Sequence, residues 1–213
     1  ILVLHDETQL RDMDSMRRDF VANLSHELRT PVSVIRANSE TLLDGALDNS
    51  KDARKFTSAI LHNSERLTEM VTNLIDLSRI EYGDKQFNLE EIDLKNKINS
   101  VVEAMSNLAA EKNIKFKFDY VGDALVKADH GALEQVLNNL LENSIKYSNP
   151  NSAVEIKIRK RDNFYRVSIM DTGSGIEEHE STLVFNRFYR TAKARAESND
   201  GSGLGLAIVK HLV

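Results

Sequence analysis

Between residues 50 and 80 the apolar side chains fall on one stripe. Phe56, Ile60, Asn63, Leu67, Met70, Leu74 and Leu77 step by four and three throughout, and no proline or glycine interrupts them. Such steps put side chains on a single face of an α-helix and make the seam along which one helix packs against another. The segment is therefore expected to be a helix with a helical partner. The partner is legible upstream, where the pattern turns helical from Asp6. Leu10, Met13, Phe20 and Leu24 continue a heptad seam in which Arg17 is a polar interruption. Pro31 lies inside this pattern and should kink the helix rather than end it.

A break carrying Gly45 separates the two helices at Asp44 to Ser50, and Asn49 or Ser50 can cap the second. Two long helices joined by a short loop form an antiparallel hairpin. One hairpin is too narrow to bury so long a stripe, whereas two hairpins make a four-helix bundle, so a homodimer is expected. The competing arrangement docks the hairpin on the chain's own C-terminal part, and the length of the stripe favours the dimer. Ahead of the hairpin, Ile1 to His5 reads as a strand end that finishes an upstream domain.

The rest of the composition mainly excludes. With a net charge of −5 and a pI near 5.7 there is no global basic field to hold nucleic acid. There is no cysteine, hence no disulfide and no thiolate metal site. No apolar run approaches the roughly 20 residues of a membrane span, and no signal peptide opens the sequence. Any membrane attachment is expected through segments upstream. Hydrophobic residues make up 41% of the 213, enough for packed cores.

The chain changes character near Gly83, after which strands, helices and glycine clusters alternate. Asp93 is expected to cap a helix to about Lys112, and Asp129 another through Tyr147. Ile114, Phe116, Phe118 and Tyr120 alternate with polar residues as a strand with one buried face. Val154, Ile156 and Ile158 alternate again, and Arg161-Asp162-Asn163 turns the chain into Tyr165, Val167 and Ile169, a hairpin. The class is α+β, with a helix-covered mixed sheet and glycine clusters at its edge.

Several constellations carry chemistry. In FVANLSHELRTP, Phe20 to Pro31, His26 and Glu27 are adjacent, and Thr30 lies one turn beyond His26 on the same face. A neutral imidazole can attack phosphorus, and a neighbouring carboxylate can take its proton. A zinc-protease reading fails, because His-Glu-x-x-His needs histidine where Thr30 stands. Taken alone, the motif reads as a solvated helix face. In NNLLENSIKYS, Asn139, Asn143 and Lys146 share one helical stripe that suits a magnesium-bound polyphosphate, although a polar outer face would look similar. DTGSG, Asp171 to Gly175, follows a strand. Its carboxylate can accept from an exocyclic amine, and its glycines let the backbone pass close to a flat ring; a plain turn is the bland alternative. GSGLGL, with Gly201, Gly203, Leu204 and Gly205, opens a helix whose N-terminus can face phosphate, or serves as a hinge. It is neither a P-loop nor a dinucleotide fingerprint, because the lysine and the preceding strand are missing. Phe185, Phe188, Tyr189 and Arg190 precede a polar stretch, Thr191 to Asp200, that reads as a lid on an aromatic hinge, or as a loop with a hydrophobic anchor.

Each signal is modest, but their order is specific. The chain resembles the sensor histidine kinases in the form that sets an H box in a dimerisation hairpin. His26 to Pro31 looks like the H box, and Asn139 to Asn143 with Lys146 and Tyr147 like the N box. Asp171-x-Gly173-x-Gly175 is similar to the G1 box, Phe185 to Arg190 to the F box, and Gly201-x-Gly203-x-Gly205 to the G2 box. The likeness runs from Asp6 onward, and Val3 through His26 looks closest to the phosphate-sensing class, with a sensor strand feeding the hairpin.

The resemblance implies an α/β-sandwich ATP-binding domain of the Bergerat or GHKL type after the hairpin. It places the upstream sensor end and signalling helix in residues 1–19, the phosphotransfer hairpin in 20–82 and the catalytic domain in 83–213. It makes His26 the phosphoacceptor, Glu27 the assisting base and Thr30 the holder of a phosphatase water. ATP and Mg²⁺ are implied, with Asn143 and Asn139 toward the metal and Lys146 and Tyr147 toward phosphates. Asp171 would read adenine, while Gly173, Gly175, Phe188, Arg190, Gly201, Gly203, Leu204 and Gly205 would line the nucleotide. The phosphoryl group would pass to an aspartate of a response regulator. The whole would be the cytoplasmic portion of a membrane-anchored bacterial protein. The family's domain continues beyond its last glycine helix, so closing strands are expected past Val213, and Glu177 stands where proline is frequent. Two other readings compete. One is a degenerate nucleotide-binding scaffold, which the retained His26, Asn143 and Asp171 oppose. The other is a chaperone- or topoisomerase-like ATPase on a dimerisation hairpin, which leaves His26 unexplained.

Overall fold

A computed structural model describes residues 8–120, 122–197 and 201–213. The expected strand end at Ile1 to His5, and the side-chain packing of Leu10 and Met13, fall outside the described residues. The chain divides into two compact units, Ile1–Ile75 and Asp76–Val213.

The first unit is the hairpin. Helix α1 (Thr8–Leu43) runs through Pro31, whose ring is fully buried. A 3-10 turn, Ala46–Asp48, makes the connection after Gly45, whose φ of 117° is one a side chain disfavours. Helix α2 (Ser50–Glu81) is then capped as expected, with Asn49 Oδ1 accepting from the Lys51 amide at 3.0 Å. All the stripe residues are buried or half-buried, and Met70 is only 1% exposed. The polar member, Asn63, donates to the Ala59 carbonyl at 2.8 Å, so its amide is satisfied by its own helix.

The second unit begins within the last turns of α2. Its elements are β1 (Leu89–Asp93), α3 (Leu94–Ala104), α4 (Ser106–Glu111), β2 (Lys115–Tyr120), β3 (Leu125–Asp129), α5 (His130–Tyr147), β4 (Ala153–Arg161), β5 (Phe164–Met170), α6 (Ala192–Glu197) and α7 (Gly205–Leu212). Strands β2 and β4 pair in parallel and β4 and β5 antiparallel, a mixed sheet of order β2-β4-β5. Alternation decides its faces. Val154, Ile156 and Ile158 are 0% exposed and meet Leu94, Ile98 and Val101 of α3 and Leu137, Leu141 and Ile145 of α5. The opposite face is charged, and Arg159 crosses it to pair with Asp119. Fully burying each such aliphatic side chain contributes roughly 1.5–3 kcal/mol, so this helix-on-sheet layer dominates the unit's stability.

Four details depart from expectation. The helix starting at Asp93 is not continuous to Lys112. It breaks at Met105, whose amide is shared between the Val101 and Val102 carbonyls, and α4 restarts in a direction that buries Ala109. Strands β1 and β3 form a second, two-stranded sheet, with Leu89 opposite Asp129, that short acidic LEEID does not announce. Phe118 remains 46% exposed because β2 is an edge strand with a neighbour on one side only. The polar stretch after Thr191 contains a helix, α6, rather than loop alone.

Candidate functional site

In the first unit the H-box-like residues lie mid-way along α1. His26 and Thr30 are exposed on one face, and the Thr30 hydroxyl donates to the His26 carbonyl at 3.2 Å. Glu27 lies at the edge of the seam, one turn before buried Pro31. Its carboxylate accepts from Arg66 of α2 at 3.4 Å, with only 26% of the Glu27 side chain and 15% of the Arg66 side chain exposed.

In the second unit the glycine motifs gather on α5. This helix forms because Asp129 caps it, accepting from the Ala132 amide at 2.8 Å, and because Leu137, Leu141 and Ile145 recur on one buried face. The other face carries Asn139, Asn143 and Lys146. Gly205 opens α7 against this face, where a Cβ would overlap Oδ1 of Asn139 and lie 3.2 Å from its Cγ. The Asn139 amide also donates to the Gln135 carbonyl at 2.8 Å, which ties the residue to packing. Lys146 Nζ lies 3.0 Å from where a Cβ on Gly201 would stand.

At the C-terminal end of α5, Gly173 packs directly on the Tyr147 carbonyl. The Gly173 amide donates to Asp171 Oδ1 at 2.9 Å, and Asn149 donates to the Thr172 carbonyl at 2.9 Å. Asp171 stands at the end of β5 and is exposed, while Gly175 lies two residues past the contact. Phe188 is 7% exposed with φ at 60°, and its amide donates to the Gly203 carbonyl at 2.9 Å. Gly203, at φ 68°, lies so close that a Cβ would be 2.8 Å from the Phe188 carbonyl carbon. Leu204 is completely buried and anchors the turn. The Tyr189 hydroxyl donates to Glu180 at 2.9 Å, a bond that raises its pKa, and Arg190 donates to the Ala194 carbonyl at 2.6 Å.

The motifs at Asn139 to Tyr147, Asp171 to Gly175 and Gly201 to Gly205 are thus brought together on one helix, and Phe188 joins them through Gly203. Two supporting residues went unread in the sequence. Lys112 donates to the Ile145 carbonyl at 3.3 Å and to that of Lys146, neutralising the C-terminal end of α5, and Asn149 pins the loop after Asp171. Both act on main-chain carbonyls, which leave no residue-type signal at the partner position. Among the described residues no group of three or more His, Cys, Asp or Glu gathers to hold a metal.

Residues 16–83 match the His Kinase A (phospho-acceptor) domain, and residues 128–213 match the family described as histidine kinase-, DNA gyrase B- and HSP90-like ATPase. The chain belongs to the sensor histidine kinases. Its hairpin carries His26 inside the phospho-acceptor match, and Asn139 through Gly205 all lie inside the ATPase match. The kinase is 37% identical over 212 residues to the sensor-like histidine kinase SenX3 of Mycobacterium tuberculosis, covering 100% of this chain and 52% of that protein. It therefore spans about half the length of that curated relative. Among solved structures it is similar to the histidine kinase AdeS of Acinetobacter baumannii, with a TM-score of 0.72 and 27% identity over 88% of this chain and 85% of that one. It is also similar to the histidine kinase ThkA in complex with the response regulator protein TrrA, with a TM-score of 0.71 and 25% identity over 91% of this chain and 58% of that one.

Proposed function

We propose that this kinase phosphorylates His26 from ATP, passes the phosphoryl group to an aspartate of a response regulator, and can act as that regulator's phosphatase. The observation that carries the reading is the seating of Gly201 and Gly205 against the polar face of α5, at Lys146 and Asn139, and of Gly173 on the Tyr147 carbonyl at its C-terminal end. Backbone stripped of Cβ atoms, an ammonium and a helix N-terminus together suit a polyphosphate, and Asp171 at the strand end suits an adenine amine. The donor set also fits Mg²⁺, which would bring charge neutralisation to the phosphates. Asn143 supplies a hard amide oxygen, while Asn139 is engaged with Gly205 and Gln135 and serves mainly to seat α7.

In the reaction a ring nitrogen of His26 attacks the γ-phosphorus, the bond to the β-phosphate oxygen breaks, ADP leaves, and the ring proton passes to Glu27. Lys146 offsets phosphate charge, and the turn held by Phe188, Gly203 and Leu204 closes over the nucleotide. As phosphatase the kinase uses Thr30, once its hydroxyl leaves the His26 carbonyl, to hold a water that attacks the phosphorus of the regulator's aspartyl phosphate. The bond to the aspartate oxygen breaks, and inorganic phosphate and the free carboxylate are released. The ThkA complex with a response regulator supports a partner of that kind. A homodimer is supported by Val21 and Val32 of α1 and Leu61, Val71 and Ile75 of α2, apolar side chains 48% or more exposed in the single hairpin. No described helix is long and apolar enough to cross a membrane. We place the hairpin at 20–82, the catalytic domain at 83–213 and a signalling helix and sensor before residue 20, with membrane attachment upstream and a stimulus of the phosphate-sensing class.

The test is incubation with γ-labelled ATP and Mg²⁺. The expected product is a phosphoprotein labile in acid and stable in base, because a phosphoramidate nitrogen protonates and leaves. Absence of label with ATP still bound would mark a nucleotide-binding scaffold instead.

A further inference from the structure

Glu27 must be aimed before it can take a proton from His26, and its own helix does not aim it. Adjacent residues on an α-helix diverge by about 100° around the axis, and a glutamate has three side-chain torsions to settle. On α1, His26 lies on the exposed face with Thr30, whereas Glu27 lies above buried Pro31 at the seam with α2. The residue that reaches it comes from the other helix. Arg66 extends across the seam and places Nη2 3.4 Å from Glu27 Oε2, with only 15% of its side chain exposed. Its Nε is buried without a hydrogen-bond partner among the described residues, so Glu27 is where the guanidinium finds compensation.

We infer that Arg66 is a positioning residue for phosphorylation of His26, fixing the carboxylate of Glu27, the residue next to His26, at the edge of the seam with α2. This rests on Glu27 being the base. A planar guanidinium on a half-buried carboxylate restricts its rotamers and fixes the direction in which its oxygens face. The proton itself goes from the His26 ring to Glu27, and Arg66 exchanges none.

The experiment measures single-turnover phosphorylation of His26 and ATP affinity in the intact protein, for Glu27→Gln, Arg66→Gln, Arg66→Lys, the double Glu27→Gln/Arg66→Gln variant and the charge swap Glu27→Arg/Arg66→Glu. Removing a general base costs roughly a hundredfold or more, so Glu27→Gln should fall by that much with ATP affinity unchanged. Arg66→Gln should lose about tenfold, the cost of a mis-aimed group, and Arg66→Lys should recover part of it. The double variant should be no slower than Glu27→Gln, since Arg66 acts through Glu27. The charge swap should restore the melting temperature lost by Arg66→Gln without restoring phosphorylation, which separates aiming from helix pairing. A wild-type rate in Glu27→Gln overturns the base assignment and this inference with it. A slow Glu27→Gln beside a fast Arg66→Gln, or losses that multiply in the double variant, overturns the role of Arg66 alone.

Discussion

Gly173 rests on the main-chain carbonyl of Tyr147 so closely that a Cβ would overlap the oxygen and lie 2.9 Å from the carbonyl carbon. That carbonyl ends α5 and cannot swing away as a flexible side chain would. Gly173→Ala should therefore displace the loop after β5 and with it Asp171, whose Oδ1 accepts from the same Gly173 amide. ATP affinity should fall at least about tenfold, as expected where a loop position and its polar contact are lost together. Calorimetry of ATP binding checks it, and an unchanged affinity would remove this contact from the site.

His26→Ala should abolish labelling by γ-labelled ATP while ATP still binds, because the nucleotide motifs lie on other elements. His26 is exposed, so its loss should leave the melting temperature nearly unmoved. Label persisting on the variant would transfer the acceptor role elsewhere.

Asn143→Ala and Asp171→Ala should both weaken ATP binding, for different reasons. The first, on the proposed site, removes a metal ligand and should matter only with Mg²⁺ present. The second, on the proposed site, removes a charge-assisted hydrogen bond to adenine, a loss of roughly 1.5–3 kcal/mol or about tenfold and more, with or without the metal. Titrations in Mg²⁺ and in chelator distinguish the two.

Thr30→Ala should separate the two activities. The Thr30 hydroxyl is bonded back to its own helix at the His26 carbonyl, and it is neither nucleophile nor base, so phosphorylation of His26 should largely survive. Holding a water in line with phosphorus is worth a few kcal/mol, so decay of the phosphorylated regulator with ADP present should slow about a hundredfold. Equal decay in wild type and variant would leave Thr30 without a phosphatase role.

Asp129 offers a pH test of the fold. Bonds from the Ala132 and Asn88 amides hold its carboxyl below the usual range, so the folded form binds its proton less readily than the unfolded chain. Its contribution is present above the ordinary carboxylate value and fades as pH falls through the lowered one. Asp129→Ala should cost about 1 kcal/mol near neutral pH, as a lost helix cap does, and the gap between the two melting curves should close in acid.

Local signals were enough for much of this molecule. The stripe from Phe56 to Leu77 determined a long packed helix, because a period of 3.6 is written residue by residue. Asp129 and Tyr147 marked both ends of α5, and the alternation of Val154, Ile156 and Ile158 marked a strand with one buried face, since caps and pleats are short-range. The glycine motifs and the histidine were legible for the same reason, and their order carried the family. Tertiary structure alone decided what those motifs touch. Leu89 pairs with Asp129, and Arg66 reaches Glu27 across 39 positions, through contacts whose entropy of closure no local pattern records. The break at Met105 was settled by an amide shared between two carbonyls and by the burial of Ala109 in the helix that follows. The sequence named the parts of the site, and the packing of α7 and the loop after β5 onto α5 chose which atoms meet, because close approach depends on three-dimensional fit rather than on spacing along the chain.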